Sequence, residues 1–166
     1  MFFVRTASER DLVKVSALLG ETWHATYDAL YGAAKVDELT EKWHSVPALK
    51  ARLARKHAEF VVADNGRDIG GMGYAALSET LKKGVILHQL YVHPNFQRQG
   101  IGRDMFAELE TCFPDAEFMQ LEVDPRNEAA LSFYEAHGFR KIGETANCGD
   151  DQSGIAAIIM EKPLST

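Results

Sequence analysis

The stretch QRQGIGRDMF, from Gln97 to Phe106, sets glycines at positions 100 and 102 where helix-like residues begin. Glycine inside a helix costs roughly 1 kcal/mol relative to alanine, so the pair needs a local reason. Backbone N–H groups at a helix N-terminus lack internal partners and carry partial positive charge. A residue without Cβ lets anionic oxygens come close to them. Arg98 and Arg103 add full charges on either side. The pattern suits a pyrophosphate cradle. A tight strand-to-helix turn would use the same residues, and the glycines alone leave both readings open. No Gly-Lys-Ser/Thr follows, and Met105 stands where a dinucleotide fingerprint would place its third glycine.

Two titratable side chains interrupt apolar, strand-like runs. Glu122 sits in QLEVDP, where a carboxylate either lines a cleft or is salt-bridged, for example to Arg126 or a lysine. His88 sits in VILHQLYV; histidine titrates near working pH, and on a buried strand it is more often a satisfied core residue. His24, His44, His57, His93 and His137 show no ligand spacing, so no metal is expected. Cys112 and Cys148 read as free thiols of a reducing compartment, with Cys112 on an apolar helix face. No G-x-S-x-G elbow is present.

These residues need elements to hold them. The 166 residues fit one domain spanning 1–166, and 46% hydrophobic with 25% charged residues describes a globular chain. The net charge of −6 argues against a nucleic-acid footprint. No run approaches the ~20 apolar residues of a membrane span, and MFFVRTASERD is too short and acidic for a signal sequence. The expected location is cytoplasmic, with no membrane or nucleic-acid partner.

FFVRTA reads as a first strand, and Ser8 with Asp11 as a capping box. Leu12, Val15, Leu18 and Leu19 mark one helical face. Thr22 to about His57 is helical, divided at Gly32 and Pro47. EFVVAD, Asn65-Gly66 and IGGMGYAAL form a hairpin, Asn-Gly supplying the positive φ angles of a tight turn. GVILHQLYVHP is a strand ending at Pro94, followed by a helix from about Gly100 to Phe113. EFMQLEV is the next strand, Asn127 opens a second helix, and His137-Gly138 ends it. FRKIGE and IAAIIMEK are closing strands. The strand–helix–strand unit in the middle makes two strands parallel, with a ligand expected beyond their carboxyl ends, LYVHP and LEVDP.

In this setting LYVHPNFQRQGIGRDMF resembles the acyl-CoA-binding motif of the GNAT superfamily of N-acetyltransferases, with its Q/R-x-x-G-x-G/A core at Gln97, Gly100 and Gly102. NEAALSFYEAHGF resembles a second family block through Asn127, Ala130, Phe133, Tyr134, Gly138 and Phe139. The likeness runs from about Val85 to Gly143, and more loosely over AAIIMEKPL. It implies an α/β fold with a mixed central sheet, splayed between two parallel strands and flanked by helices. It implies acetyl-CoA as co-substrate. The backbone of Leu90, Tyr91 and Val92 would pair with the pantetheine arm. Arg98, Gln99, Gly100, Ile101, Gly102 and Arg103 would bind pyrophosphate. Asn127 would hydrogen-bond the pantetheine end, and Tyr134 would face the thioester sulfur.

Acetyl transfer needs a neutral amine. With a pKa near ~10.4, about one amine in a thousand is neutral at pH 7.4, a deficit of roughly 4 kcal/mol that a general base reduces. Glu122 lies five residues before Asn127 and twelve before Tyr134, a spacing that matches the catalytic glutamate of the ribosomal-protein N-terminal acetyltransferase branch. His88 holds the position of a histidine in the arylalkylamine acetyltransferases, while the glutamate of other branches falls at Ile86. Glu122, His88 or a water relay therefore stay open as the base. Tyr134, at pKa ~10, suits proton donation to a thiolate leaving group, or is a packing tyrosine. Trp23 and Tyr27, four apart on one helix face, would clamp an acceptor amine or simply pack. Asp150 and Asp151 would attract a cationic amine or be solvated turn residues.

The resulting expectation is direct attack of a primary amine on acetyl-CoA in a ternary complex. The acceptor is expected to be a small molecule, with a protein N-terminus as the alternative; a homodimer is allowed. Rivals are a non-catalytic acyl-CoA sensor module and a nucleotide-binding protein using the same loop.

Overall fold

A computed structural model of the chain describes residues 1–146 and 156–164. The elements are β1 (Phe3–Thr6), a 3-10 turn (Glu9–Asp11), α1 (Leu12–Tyr31), α2 (Ala33–His44), α3 (Val46–Ala54), β2 (Ala58–Asp64), β3 (Ile69–Leu77) and β4 (Gly84–Val92). A 3-10 turn (Pro94–Phe96), α4 (Ile101–Thr111), β5 (Phe118–Val123), α5 (Glu128–Ala136), β6 (Arg140–Thr145) and β7 (Ala157–Pro163) complete them. The strands hydrogen-bond in the order β1-β2-β3-β4-β5-β7-β6, the mixed α/β architecture expected from the sequence. Two compact units are distinguishable, one of residues 1–75 and 89–112, the other of 76–88 with the described residues after 112. Among the described residues no helix is long and apolar enough to cross a membrane.

The first unit is built on the face of α1 that the periodicity picks out. Leu12, Val15, Leu18 and Leu19 pack with Leu49 of α3, Phe60 and Val62 of β2, and Met72 and Tyr74 of β3. Gly32, at φ +85°, separates α1 from α2. The division expected at Pro47 is present, with the break at Ser45: Pro47 lies in the first turn of α3, where a missing N–H costs nothing, and Ser45 is the cap, accepting from the Ala48 N–H at 3.4 Å. The capping box at Ser8 and Asp11 is present, and Arg5 holds Asp11 at 2.8 Å and Asp64 at 2.9 Å. The Arg5 hydrogen bonds hold the Asp11 carboxyl down at about 2.

The β2–β3 connection is wider than a two-residue turn. Gly66 alone has positive φ (+92°); Asn65 Oδ1 instead accepts from the N–H groups of Arg67 and Asp68, at 2.9 and 2.7 Å. The asparagine serves through its side chain, not through a left-handed backbone. Helix α4 buries Ile101, Met105, Phe106 and Leu109. Gly71 on β3 lets it sit close: a Cβ there would lie 2.8 Å from Met105 Cε, 2.9 Å from the Tyr91 carbonyl oxygen and 3.0 Å from Ile101 Cγ2. Cys112 is half-buried at the end of α4, not in the core; its Sγ donates to the Glu108 carbonyl at 3.2 Å, and burial pushes the thiol up to about 11.

In the second unit β5 pairs in parallel with β4 through Gly84–Phe118, Val85–Met119 and Ile86–Gln120, and antiparallel with β7 along its whole length. The parallel pair matches the strand–helix–strand expectation. Strands β6 and β7 are antiparallel, with an irregularity between Lys141 and Gly143. Gly138, at φ +97°, turns the chain out of α5, so that Phe139 donates its N–H to the Tyr134 carbonyl at 3.0 Å and buries its ring. Cys148, Asp150 and Asp151 lie outside the described residues.

Candidate active site

The segment between β4 and α4 is shaped by backbone. Gly100 caps α4 in the left-handed region (φ +79°, ψ 9°), and Arg98 is left-handed too (φ +65°). A non-glycine residue there carries roughly 1–2 kcal/mol of strain. Turns of this kind make anion-binding concavities out of successive N–H groups. Asp104 donates its N–H to the Gly100 carbonyl at 3.0 Å, so the N–H groups of Ile101, Gly102 and Arg103 form the first turn, which has no carbonyl one turn back. Gly102 is helical rather than left-handed, so the two glycines do different things. Arg103 folds back over Gly100: a Cβ on Gly100 would lie 2.7 Å from its Nη2. Arg98 and Gln99 are exposed, whereas Ile101 is buried and offers a ligand only its backbone.

Four hydrogen bonds hold this segment. Gln97 Nε2 donates to the Val92 carbonyl at 3.2 Å, and His93 donates its N–H to the Gly70 carbonyl at 2.9 Å. His93 Nδ1 accepts from the Asn95 N–H, which leaves Nε2 to donate to Glu21 on α1 at 2.6 Å. Leu90, Tyr91 and Val92, ahead of it on β4, are half-buried.

Trp23 and Tyr27 are both buried, at 8% and 7% exposure, with ring centroids 4.7 Å apart as their four-residue spacing requires. Trp23 also meets Trp43 at 5.7 Å, His44 at 5.3 Å and Tyr91 at 6.3 Å. His44, 3% exposed, has Nδ1 3.0 Å from Gln89 Nε2 on β4. Burial, with the charge of Arg52 adding to it, pushes the His44 imidazole down to about 3, so it is neutral at working pH. The Arg52 guanidinium donates to the Trp43 carbonyl, and burial lowers its pKa. On the outer side of these helices His24 joins Asp28 (2.6 Å) and Asp37 (2.7 Å), which raise its pKa in that order.

Sequence reasoning singled out neither His44 with Gln89 nor Arg52. One signal was available: His44 stands two four-residue steps after the buried Val36, on the inner face of α2. Nothing in the sequence pattern marks Arg52.

In the second unit Glu122 is exposed on β5, between buried Leu121 and Val123 and opposite Ile159 of β7. Arg126 is paired with the buried Asp124 at 3.2 Å. His88 is exposed on β4 and is not the core histidine that a buried strand would hold. Asn127 caps α5, its Oδ1 accepting from the Ala130 N–H at 3.2 Å. Tyr134 is half-buried, its ring edge-on to Phe133 and Phe139, both at 5.5 Å. The second sequence block thus has a packing logic: Asn127 starts the helix, Gly138 reverses the chain, and Phe139 returns to support Tyr134. Among the described residues no cluster of histidine, cysteine and carboxylate groups could hold a metal ion.

The model of the acetyltransferase (GNAT) domain family matches residues 27–164. The chain belongs to the GNAT family. The N-alpha-acetyltransferase RimI of Mycobacterium tuberculosis is 34% identical over 97 residues, 58% of this chain and 61% of that protein. The chain therefore spans somewhat under two thirds of that relative's length. The ribosomal protein bS18 alanine N-acetyltransferase of Escherichia coli is 28% identical, over 76% of this chain and 88% of its own length. A spermidine N(1)-acetyltransferase of Thermoplasma acidophilum is 23% identical over 82% of this chain and 87% of that one. The crystal structure of PaiA N-acetyltransferase from Thermoplasma acidophilum in complex with coenzyme A superposes with a TM-score of 0.84 at 22% identity, covering 98% of this chain and 99% of that one. It shows that this chain has the GNAT fold. N-acetyltransferase is the enzyme class that membership of the GNAT family assigns, and these relatives carry that activity in their names.

Proposed function

We infer that the protein moves the acetyl group of acetyl-CoA to a primary amine of a small molecule, by direct attack in a ternary complex. The observation that carries this reading is the loop before α4: two left-handed residues, a helix N-terminus and the Arg103 guanidinium folded over Gly100. That is a phosphate site built of backbone, in a family whose coenzyme A complex has the same fold. Arg98 to Arg103 bind the pyrophosphate. The backbone of Leu90 to Val92, which follows the last parallel β4–β5 pair at Ile86, adds the pantetheine arm as a strand.

In the reaction the amine nitrogen bonds the thioester carbon, and the developing oxyanion takes a hydrogen bond from a backbone N–H near Leu90. Glu122 accepts the amine proton, with His88 as the rival base, and the C–S bond breaks. Tyr134 gives its proton to the departing thiolate and recovers one from solvent. Asn127 holds the pantetheine end. Trp23 and Tyr27 wall the acceptor side.

A protein N-terminus is the second reading of the acceptor, because the relatives include an N-alpha-acetyltransferase and a ribosomal-protein alanine acetyltransferase; the spermidine enzyme among them favours the first.

The test starts with thermal unfolding in acetyl-CoA, CoA, ATP and NAD at matched concentration. A ligand at 100 times its Kd adds about 2.7 kcal/mol, a shift of roughly 2–8 °C for domains of this size. Both CoA species shift the midpoint and the nucleotides do not; a flat response to CoA defeats the reading. The same protein then meets a panel of polyamines, aromatic amines, amino acids and N-terminal peptides with thiol detection. Tyr134→Phe lowers kcat by at least ~100-fold while acetyl-CoA affinity stays within a few-fold. Equal losses in both make Tyr134 a binding residue.

A further inference from the structure

Within the first unit, a set of buried polar atoms has no hydrogen-bond partner: Thr22 Oγ1 and Trp23 Nε1 on α1, His44 Nε2 at the end of α2, Arg52 Nη1 on α3 and Gln89 Oε1 on β4. Thr22, Trp23, His44 and Gln89 are each more than nine-tenths buried. Trp23, His44, Arg52 and Gln89 are linked to one another. Trp23 and His44 rings are 5.3 Å apart, Gln89 bonds His44, and Arg52 bonds the carbonyl of Trp43, the residue before His44. The balance of donors and acceptors is lopsided. With Gln89 Nε2 donating to His44 Nδ1, the proton of the neutral ring is on Nε2. Trp23, His44 and Arg52 therefore offer N–H donors, Gln89 Oε1 alone is a pure acceptor, and Thr22 can do either.

Charge separates the ways to satisfy such a set. Water can meet hydrogen bonds, but it cannot neutralise a guanidinium. Buried charges are normally paired. Arg52 has no carboxylate partner among the described residues; its guanidinium donates to the Trp43 carbonyl, and burial lowers its pKa. Half-exposed Trp43 and Tyr91 border the cluster, and their rings meet His44 at 6.4 and 6.5 Å. The remaining wall is aromatic, from Trp23 and Tyr27.

We propose that Trp23 Nε1, His44 Nε2 and Arg52 Nη1 form a subsite for a carboxylate, carried by the acceptor, so that the acetylated molecule is an amine that also bears a carboxylate. This rests on the acetyltransferase reading and narrows its substrate class. The guanidinium supplies the counter-charge, the indole and imidazole N–H groups fix the oxygens, and the aromatic rings hold the intervening carbons. His44 stays neutral beside Arg52, so it adds a donor without adding repulsion between cations.

The first arm of the test needs no turnover. Thermal unfolding of the whole chain is followed in acetate, in its neutral isostere acetamide, and in chloride at equal ionic strength. Acetate raises the midpoint saturably by ~2–4 °C and the other two do not. Arg52→Met removes a half-buried cation that has no carboxylate partner among the described residues, so it unfolds no lower than the parent yet loses the acetate response. Arg52→Lys, which keeps the charge but not the fork, retains part of it. A flat acetate response, an equal response to chloride, or an acetate response that survives in Arg52→Met overturns the subsite and leaves buried water or an unselective ion site. The second arm compares amine acceptors as free acids and as methyl esters. The acid is favoured at least ~10-fold in kcat/KM, and Arg52→Met levels the two. Acetate binding without turnover on any amine sinks the acetyltransferase reading alone; turnover with no acetate response and no acid preference sinks the subsite alone.

Discussion

The loop before α4 and the helical wall of α1, α2 and α3 lie in the same compact unit and are made in opposite ways. The loop is backbone. Its side chains at Arg98 and Gln99 are exposed, and its shape comes from two left-handed residues and a helix end. The wall is side chain. Its chemistry comes from Trp23, His44, Arg52 and Gln89, each buried or half-buried and each on a different element. A site of backbone groups presents the same donors whatever most of its side chains are, so it can serve a co-substrate shared by many enzymes. A site of side chains changes with every substitution, so it can serve an acceptor particular to one.

The largest expected effect follows from touching the loop backbone. Gly100→Val forces a branched side chain into a left-handed position and onto Arg103. Acetyl-CoA affinity falls by ~100-fold, about 2.7 kcal/mol, read by calorimetric titration. Affinity within threefold of the parent removes the backbone explanation. Next is the seat of the helix that carries the loop. Gly71→Ala brings a methyl group to 2.9 Å from the Tyr91 carbonyl, which cannot swing aside as a side chain can. It lowers unfolding stability by ~1–3 kcal/mol in urea, and unchanged stability means that α4 has room to shift.

The smallest effect per step belongs to the wall and is a pH effect. His44 has its folded pKa pushed down to about 3 from an ordinary 6.5. Between those values the unfolded chain binds a proton at this residue that the folded chain does not. Stability from His44 is therefore full above about 6.5 and declines by ~1.4 kcal/mol per unit as the pH falls toward 3. His44→Leu removes this part of the acid slope, measured as unfolding free energy from pH 7 to 4. An unaltered slope shows that His44 is solvated and the wall loose.

The same contrast explains what could be read from sequence. Gly100 was legible because few residues other than glycine take a left-handed helix cap, and Asn127 and Gly138 because caps and chain reversals demand particular residue types. The order of strands and helices followed from periodicity, which reports burial directly. Arg98 was not legible as a left-handed residue, since nothing about arginine announces positive φ. Pro47 marked the division between α2 and α3, because a proline that would break a helix interior is welcome in a first turn. Asn65-Gly66 gave the hairpin but not its width, because asparagine's side chain competed with its own backbone. His88 was read as core from its apolar neighbours, but alternation on a strand sends successive side chains to opposite faces. His44, Arg52 and Gln89 meet only through tertiary packing, and no spacing along the chain encodes a cluster drawn from positions so far apart.

The left-handed Arg98 and Gly100, with Gln97 and His93 anchoring the segment to Val92 and Gly70, have a kinetic consequence. Under the proposed acetyl-CoA role, a loop held in this shape before the ligand arrives leaves no folding step between encounter and capture. Acetyl-CoA association is then a single second-order event, its observed rate rising in proportion to ligand concentration without a plateau, and differences in affinity among loop variants show up in how fast the co-substrate leaves.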